Sequence, residues 1–203
     1  MIGKCLVVRA LEGMCKIIWG FPPTLIASMV DHMGTRTALM WFMTNMPRFM
    51  ISRAVLGPVR VHLTCIITSL RNSCIYCAYG HAYALELIYL RDHGRLFPLD
   101  AGLLDDWLGI DNRVMRRRLH AVLVEAGLHA ETIWADRIIA LADGDQQPVD
   151  ATEARIAKVM RMVTTMNVIA NAADAAPQEA HDPVNKNAAV KAQHAALRAA
   201  RST

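Results

Sequence analysis

The residues best suited to chemistry lie close together near the middle of the chain, in the sequence CIYCAYGH at residues 74–81. The second cysteine follows the first by three residues, and the histidine follows the second cysteine by four. Positions three and four apart lie on one face of a helix. If this segment is helical, Cys74, Cys77 and His81 share a face, and two thiols lie beside an imidazole.

These thiols need activation, because the thiolate is the nucleophile and a free thiol of pKa about 8.5 is only a few per cent ionised at neutral pH. A helix N-terminus stabilises a nearby anion by about 0.3–1 kcal/mol, which is less than one pKa unit. That is too little alone. A histidine one turn away can take the proton directly or through a water molecule, which explains why His81 belongs in the site.

The spacing of the two cysteines also makes an oxidation reversible. A thiolate that attacks a peroxide becomes a sulfenic acid, and a neighbouring thiol condenses with it to a disulfide before further oxidation can occur. The motif therefore predicts a thiol redox site at Cys74, Cys77 and His81.

This motif follows a predicted helix and the turn Arg71-Asn72-Ser73, and it resembles the signature of alkylhydroperoxidase D-like proteins in the carboxymuconolactone decarboxylase family. The resemblance covers residues 60–90 and is only architectural elsewhere. It implies an all-α fold, a compact multi-helix domain of the alkylhydroperoxidase D-like type, and an obligate homo-oligomer, a trimer or hexamer. It further implies a thiol-dependent peroxidase or disulfide reductase without a cofactor, a hydroperoxide substrate, and a lipoyl or thioredoxin-like dithiol reductant.

The resemblance also assigns roles to individual residues. The second cysteine of the family motif reacts with peroxide, which corresponds to Cys77, and the first resolves, which corresponds to Cys74. His81 matches the proton acceptor. The family has a glutamate twelve residues before the first cysteine, and here that position holds His62. His62 is either a relay base, since imidazole titrates near neutral pH, or a hydrogen-bonded histidine of the core.

Two other functions are open on the sequence alone. A Cys-x-x-Cys pair with His81 gives three potential zinc ligands, and His62 or His93 could complete a closed site in a metal-binding or redox-sensing scaffold. A lactone or carbon-acid reaction like that of the parent decarboxylase would survive loss of both cysteines. Covalent haem attachment needs histidine directly after the second cysteine, where this chain has Ala78.

Composition limits the class of protein. The chain has 203 residues, 54% of them hydrophobic and 20% charged, so one small monomer has too little interior for its apolar surface and a homo-oligomer is favoured. No run of about 20 apolar residues predicts a membrane span, and the start lacks the layout of a secretory signal, so we expect a cytoplasmic protein. The net charge of +4 and the single basic run at residues 116–118 do not predict nucleic-acid binding.

Turn signals divide the chain into predicted helices. Proline is expected to open a helix near residue 23 and to end another before Pro47. Residues 60–70 are predicted as helix although their Val, Ile and Thr would tolerate a strand. Asn72 or Ser73 is expected to cap the motif helix, which continues through Leu90 and ends near Gly94.

Farther along, Asp100, Asp111 and Asp150 are predicted N-caps, the last with Glu153 in a capping box. Residues 177–187 read as a polar, turn-rich stretch. We assign residues 1–187 to the helical domain and residues 188–203 to an Ala-rich C-terminal helix or tail. Glu86 is interpreted as a solvated or intersubunit charge. Three other cysteines are interpreted as inert buried thiols: Cys5, Cys15 and Cys65.

Overall fold

The computed structural model describes residues 2–201, and within them the chain forms nine α-helices and two short 3-10 helices, without a strand. The α-helices are α1 (Ile2–Trp19), α2 (Leu25–Met33), α3 (Thr35–Leu56), α4 (Pro58–Arg71), α5 (Ile75–His93), α6 (Asn112–Glu125), α7 (His129–Asp143), α8 (Ala151–Ala172) and α9 (Ala188–Arg201). The 3-10 helices are Ala101–Trp107 and Pro183–Lys186. The all-helical prediction is confirmed.

Helices α4 and α5 form the centre of the molecule. All residues from Val61 to Leu70 of α4 are buried, and α5 is buried along most of its length. Helices α7 and α8 pack against α4, and α8 also packs against α5. The prediction of helix for residues 60–70 is confirmed; the β-branched side chains there are enclosed on every side.

The turn between α4 and α5 differs from the predicted cap. Asn72 lies at the C-terminal end of α4, and Ser73 takes a left-handed conformation with φ 50°. Cys74 is extended and is itself the N-cap of α5, with its carbonyl accepting from the Ala78 N–H at 3.0 Å. The prediction that Asn72 or Ser73 caps α5 is therefore wrong. Gly94, in a left-handed conformation, ends the helix as expected.

Pro47 does not end a helix, because α3 runs through it to Leu56. A proline leaves the carbonyl four residues earlier without its helical donor. Here both Pro47 and Met43 are exposed, so water can reach that carbonyl. The predicted break at Pro47 is wrong for this reason. The expected aspartate caps are confirmed at Asp100, Asp111 and Asp150, each of which accepts a backbone N–H near its helix start.

The C-terminal segment returns to the core. The stretch at residues 177–187, although polar, buries His181 and Asp182, and α9 packs on α5. Glu86 of α5 is 1% exposed and accepts hydrogen bonds from His194 and Arg198 of α9. It also accepts from the Ala101 N–H. The interpretation of Glu86 as a solvated charge is wrong.

None of the helices between residues 2 and 201 combines the length and the apolar character needed to cross a membrane.

Candidate thiol site

The two motif cysteines lie together at the start of α5. Both are free thiols; Cys74 is fully buried and Cys77 is 3% exposed. Their side chains hydrogen-bond to each other. That hydrogen bond is the main cause that lowers the pKa of Cys74, against its burial, and the backbone N–H groups of Cys77 and Tyr76 lower it further. The hydrogen bond with Cys74, followed by burial, raises the pKa of Cys77.

Of the two thiols, Cys74 is therefore the one that ionises more readily. A sulfur at an N-cap faces the unpaired N–H groups of the first helical turn, which favour the anion. The thiol of Cys77, whose pKa is raised, is the less acidic of the two. Only Cys77 of the two lines the internal cavity beside the site.

A chain of hydrogen bonds leads away from His81, which also lines that cavity. His81 Nδ1 lies 3.1 Å from His62 Nδ1, and His62 Nε2 lies 3.0 Å from Asp182 Oδ2. Asp182 in turn accepts hydrogen bonds from Arg53, one of them at 3.1 Å from Nη2 to Oδ1. Helices α3, α4 and α5 and the segment before Pro183 each contribute one member.

The carboxylate at the end of this chain constrains the tautomer of His62. Burial alone raises the pKa of Asp182, but hydrogen bonding and charge from His62, with donors from Arg53 and the Val184 N–H, lower it to about 2. Ionised Asp182 can only accept, so His62 Nε2 carries a proton. When Nε2 carries the only ring proton of His62, its Nδ1 accepts from the Nδ1–H of His81, and Nε2 of His81 is left as a free base.

His81 is neutral at physiological pH. Burial first, and then the charges of His181 and His62, place the pKa of His81 well below its usual range. A buried neutral imidazole with one nitrogen held by a hydrogen bond is oriented to accept a proton at the other. His81 is four residues after Cys77 on the same helix, as the spacing predicted.

His181 closes the site from the C-terminal segment. Its ring packs over Gly80 so closely that a Cβ at that glycine would lie 2.5 Å from the ring. The backbone N–H of His181 donates to the Gly80 carbonyl at 2.9 Å. The ring also stacks on Trp19 and contacts Tyr76 and His81. Burial first, and then the charge of His62, lower the pKa of His181 to about 4. His181 is therefore a neutral wall of the cavity.

The cavity has a volume of about 70 Å³ and an almost wholly apolar lining. Aromatic and methionine side chains dominate that lining, and they include Trp19, Trp41, Phe42, Phe49, Met29, Met46, Met162 and Met166. Such a space excludes most water but can admit a small molecule.

The four predicted site residues form two pairs: Cys74 hydrogen-bonds to Cys77, His81 lies within hydrogen-bond distance of His62, and Cys77 and His81 line the same cavity. Sequence reasoning missed Arg53, His181 and Asp182. The one available signal was the adjacent His181-Asp182 pair in a stretch dismissed as turn. Of the other cysteines, Cys15 and Cys65 are buried with raised pKa, to about 12 for Cys15, whereas Cys5 is exposed, so its interpretation as buried is wrong.

Across residues 2–201, no three His, Cys, Asp or Glu side chains are grouped so as to hold a metal ion. Comparison of the chain with models of protein families, with curated proteins and with solved structures gives no match. The family resemblance therefore rests on the motif at residues 74–81 and its surroundings.

Proposed function

We propose that this protein is a thiol-dependent peroxidase of the alkylhydroperoxidase D-like type, in which Cys77 attacks a hydroperoxide, Cys74 resolves and His81 takes the proton. One observation carries the proposal. A hydrogen-bonded thiol pair opens, through Cys77, onto an apolar cavity shared with a histidine that a buried His62–Asp182 pair orients as a base.

In the first step His81 Nε2 takes the proton of the Cys77 thiol. The thiolate attacks the outer oxygen of the hydroperoxide, the O–O bond breaks, and Cys77 becomes a sulfenic acid. The leaving alkoxide takes the proton from His81 and departs as an alcohol. The sulfur is oxidised by two electrons and the peroxide is reduced by two.

In the second step the Cys74 sulfur attacks the sulfenic sulfur of Cys77, the proton of the Cys74 thiol passes to the departing hydroxide, and water leaves. The product is a Cys74–Cys77 disulfide. A dithiol reductant then returns the pair to two thiols by thiol–disulfide exchange and becomes a disulfide itself. The lowered pKa of Cys74 suits this resolving role, because the attacking group in disulfide formation is a thiolate.

The relay behind His81 lets a weak base serve in the first step. When His81 accepts a proton at Nε2, its Nδ1 proton can pass to His62 Nδ1. The positive charge then lies next to the Asp182 carboxylate, to which His62 already donates. A buried charge is tolerated only beside an opposite one, so Asp182 makes the transfer favourable. His62 would thus replace the family glutamate with help from Asp182.

The decisive experiment compares peroxide turnover, with a dithiol reductant, in the wild type and in Cys77→Ser. We expect turnover to be lost, because no thiol would then face the cavity. Cys5→Ser is the matched control, since Cys5 is an exposed cysteine on α1, and it should retain full turnover. Equal rates in the wild type and Cys77→Ser would refute the proposal.

We also propose a homo-oligomer, as the composition predicts. Several large apolar side chains are exposed, among them Met40, Met43 and Val55 on α3. Burying them against another copy would remove apolar surface from water. Analytical ultracentrifugation should give more than one chain per particle, and a monomer across the micromolar range would exclude the oligomer.

A further inference from the structure

A basic groove lies beside the thiol cavity, between α3 and α8. It has a volume of about 620 Å³ and is lined by four cationic side chains, Arg48, Arg155, Lys158 and Arg161. Three of the four follow one another at three-residue intervals along α8. No carboxylate is among the described residues that line the groove.

These four cations are uncompensated. Among residues 2–201, no hydrogen bond or ion pair is made by the side chains of Arg48, Arg155, Lys158 or Arg161. Two nearby arginines, in contrast, do have carboxylate partners. Arg53, on the same helix as Arg48, binds Asp182, and Arg137 binds Glu153 of α8. Like charges brought together without partners destabilise a protein unless an anion joins them.

The basic groove lies against the apolar cavity. Trp41, Phe49 and Met162 line both spaces. The two spaces therefore share a wall made of only three side chains, one of them a flexible methionine. A ligand that extends from one space to the other would place a charged end among cations and an apolar end beside Cys77 and His81.

We propose that the groove and the cavity together bind a chain-like organic carboxylate, of the fatty-acid class, with its carboxylate on the α3–α8 cations and its hydrocarbon directed past Met162 into the cavity. Guanidinium groups suit this role because they bind carboxylates with paired hydrogen bonds. As a statement about substrate, the inference rests on the proposed function: the substrate would be a hydroperoxide of such an acid.

Binding can be tested without any peroxide chemistry. Decanoate is the probe, titrated calorimetrically into the reduced wild-type protein and into the triple variant Arg155→Gln, Lys158→Gln, Arg161→Gln. We expect the triple variant to bind decanoate at least about tenfold more weakly, since three cationic partners of the carboxylate are lost. Decanol, which lacks the charge, should bind both proteins equally and more weakly than decanoate binds the wild type.

The matched control removes three exposed arginines elsewhere that also make no side-chain ion pair in the described chain, Arg9, Arg113 and Arg117, each changed to Gln. It has the same net charge as the groove variant, so it should bind decanoate as the wild type does. Thermal melting checks that both variants fold. Equal decanoate affinity in the wild type and the groove variant, or no binding at millimolar decanoate, would overturn the inference.

The test of the carboxylate site can be distinguished from the test of the proposed function. Decanoate binding that depends on the groove, with peroxide turnover unaffected by Cys77→Ser, would keep the binding site and reject the peroxidase. Turnover lost in Cys77→Ser, with no decanoate binding, would reject the carboxylate site alone.

Discussion

At the scale of single residues, the two cysteines of one motif are made different by the backbone around them. Cys74 occupies the N-cap of α5, where the Cys77 thiol and the backbone N–H groups of Cys77 and Tyr76 lower the pKa of its thiol. Cys77, inside the helix, has no such donors and faces the cavity. In the proposed mechanism, Cys74 would close the disulfide and the cavity-facing Cys77 would meet the substrate.

This division predicts where the sulfenic acid forms. In Cys74→Ser, one equivalent of hydroperoxide should leave a sulfenic acid on Cys77, because the resolving sulfur is gone; dimedone labelling and peptide mass spectrometry would locate it. In Cys77→Ser, Cys74 should remain unlabelled, since it does not line the cavity. A dimedone adduct on Cys74 in that variant would reverse the two roles.

The Asp182 carboxylate also links the relay to stability. Hydrogen bonds and charge lower the pKa of Asp182 from 3.8 to about 2, and this outweighs burial. A lowered folded-state pKa stabilises the protein above the unfolded pKa, and that stabilisation is lost as pH falls toward the folded pKa. Between pH about 4 and about 2 the wild type should therefore lose about 2 kcal/mol from this group.

Asp182→Asn should lack that loss, so the difference in unfolding free energy between the wild type and the variant should shrink over the same range of pH. Urea denaturation at several pH values measures it. Asp145→Asn, at an exposed position, is the control and should follow the wild type. A constant difference between the wild type and Asp182→Asn would contradict the ionised Asp182 on which the tautomer assignment depends.

At the scale of elements, the contact between α5 and the segment at His181 requires a glycine in mid-helix. Gly80→Ala would put a Cβ 2.5 Å from the His181 ring, so the ring or the segment must move. Overpacking of this kind costs about 1–3 kcal/mol. We expect a lower melting temperature and slower peroxide reduction, because the displaced segment carries Asp182.

Gly13→Ala provides the matched control. Gly13 also lies inside a helix, α1, but nothing lies within 4 Å of its added Cβ. Since alanine favours a helix over glycine by about 1 kcal/mol, this change should stabilise the protein slightly. Chemical denaturation measures the free energy of unfolding of both variants. Equal stabilisation in Gly80→Ala and Gly13→Ala would mean that His181 does not pack tightly on Gly80.

Features that depend on residues close in sequence could be predicted, whereas features that depend on packing between distant residues could not. Aspartate caps such as Asp111 depend on neighbours two residues away, so the sequence displays them. The helix through Pro47 depends on which side of α3 meets solvent, and that is decided by distant packing. The same holds for Asp182, which meets His62 across 120 positions of sequence and leaves no periodic trace.

At the scale of the whole molecule, the C-terminal segment contributes residues to the site, and the helix that follows it is held against α5 by a buried charge. Residues 181 and 182 enter the core beside α5, and α9 then follows along α5. That charge is Glu86, which is 1% exposed. It accepts hydrogen bonds from His194 and Arg198 of α9 and from the Ala101 N–H. Arg198 also donates to the Leu99 carbonyl at 2.7 Å.

These hydrogen bonds to Glu86 predict that replacing Arg198, near the end of the chain, will lower the stability of the protein strongly. Arg198→Met keeps the apolar length of the side chain but leaves Glu86 with only part of its compensation, and removing one partner of a buried ion pair costs about 3 kcal/mol or more. Arg201→Met, on an exposed position of the same helix, should change stability little. Denaturant unfolding of both variants compares them directly. Equal stability would mean that Glu86 does not depend on α9, and the C-terminal helix would then be a tail rather than part of the core.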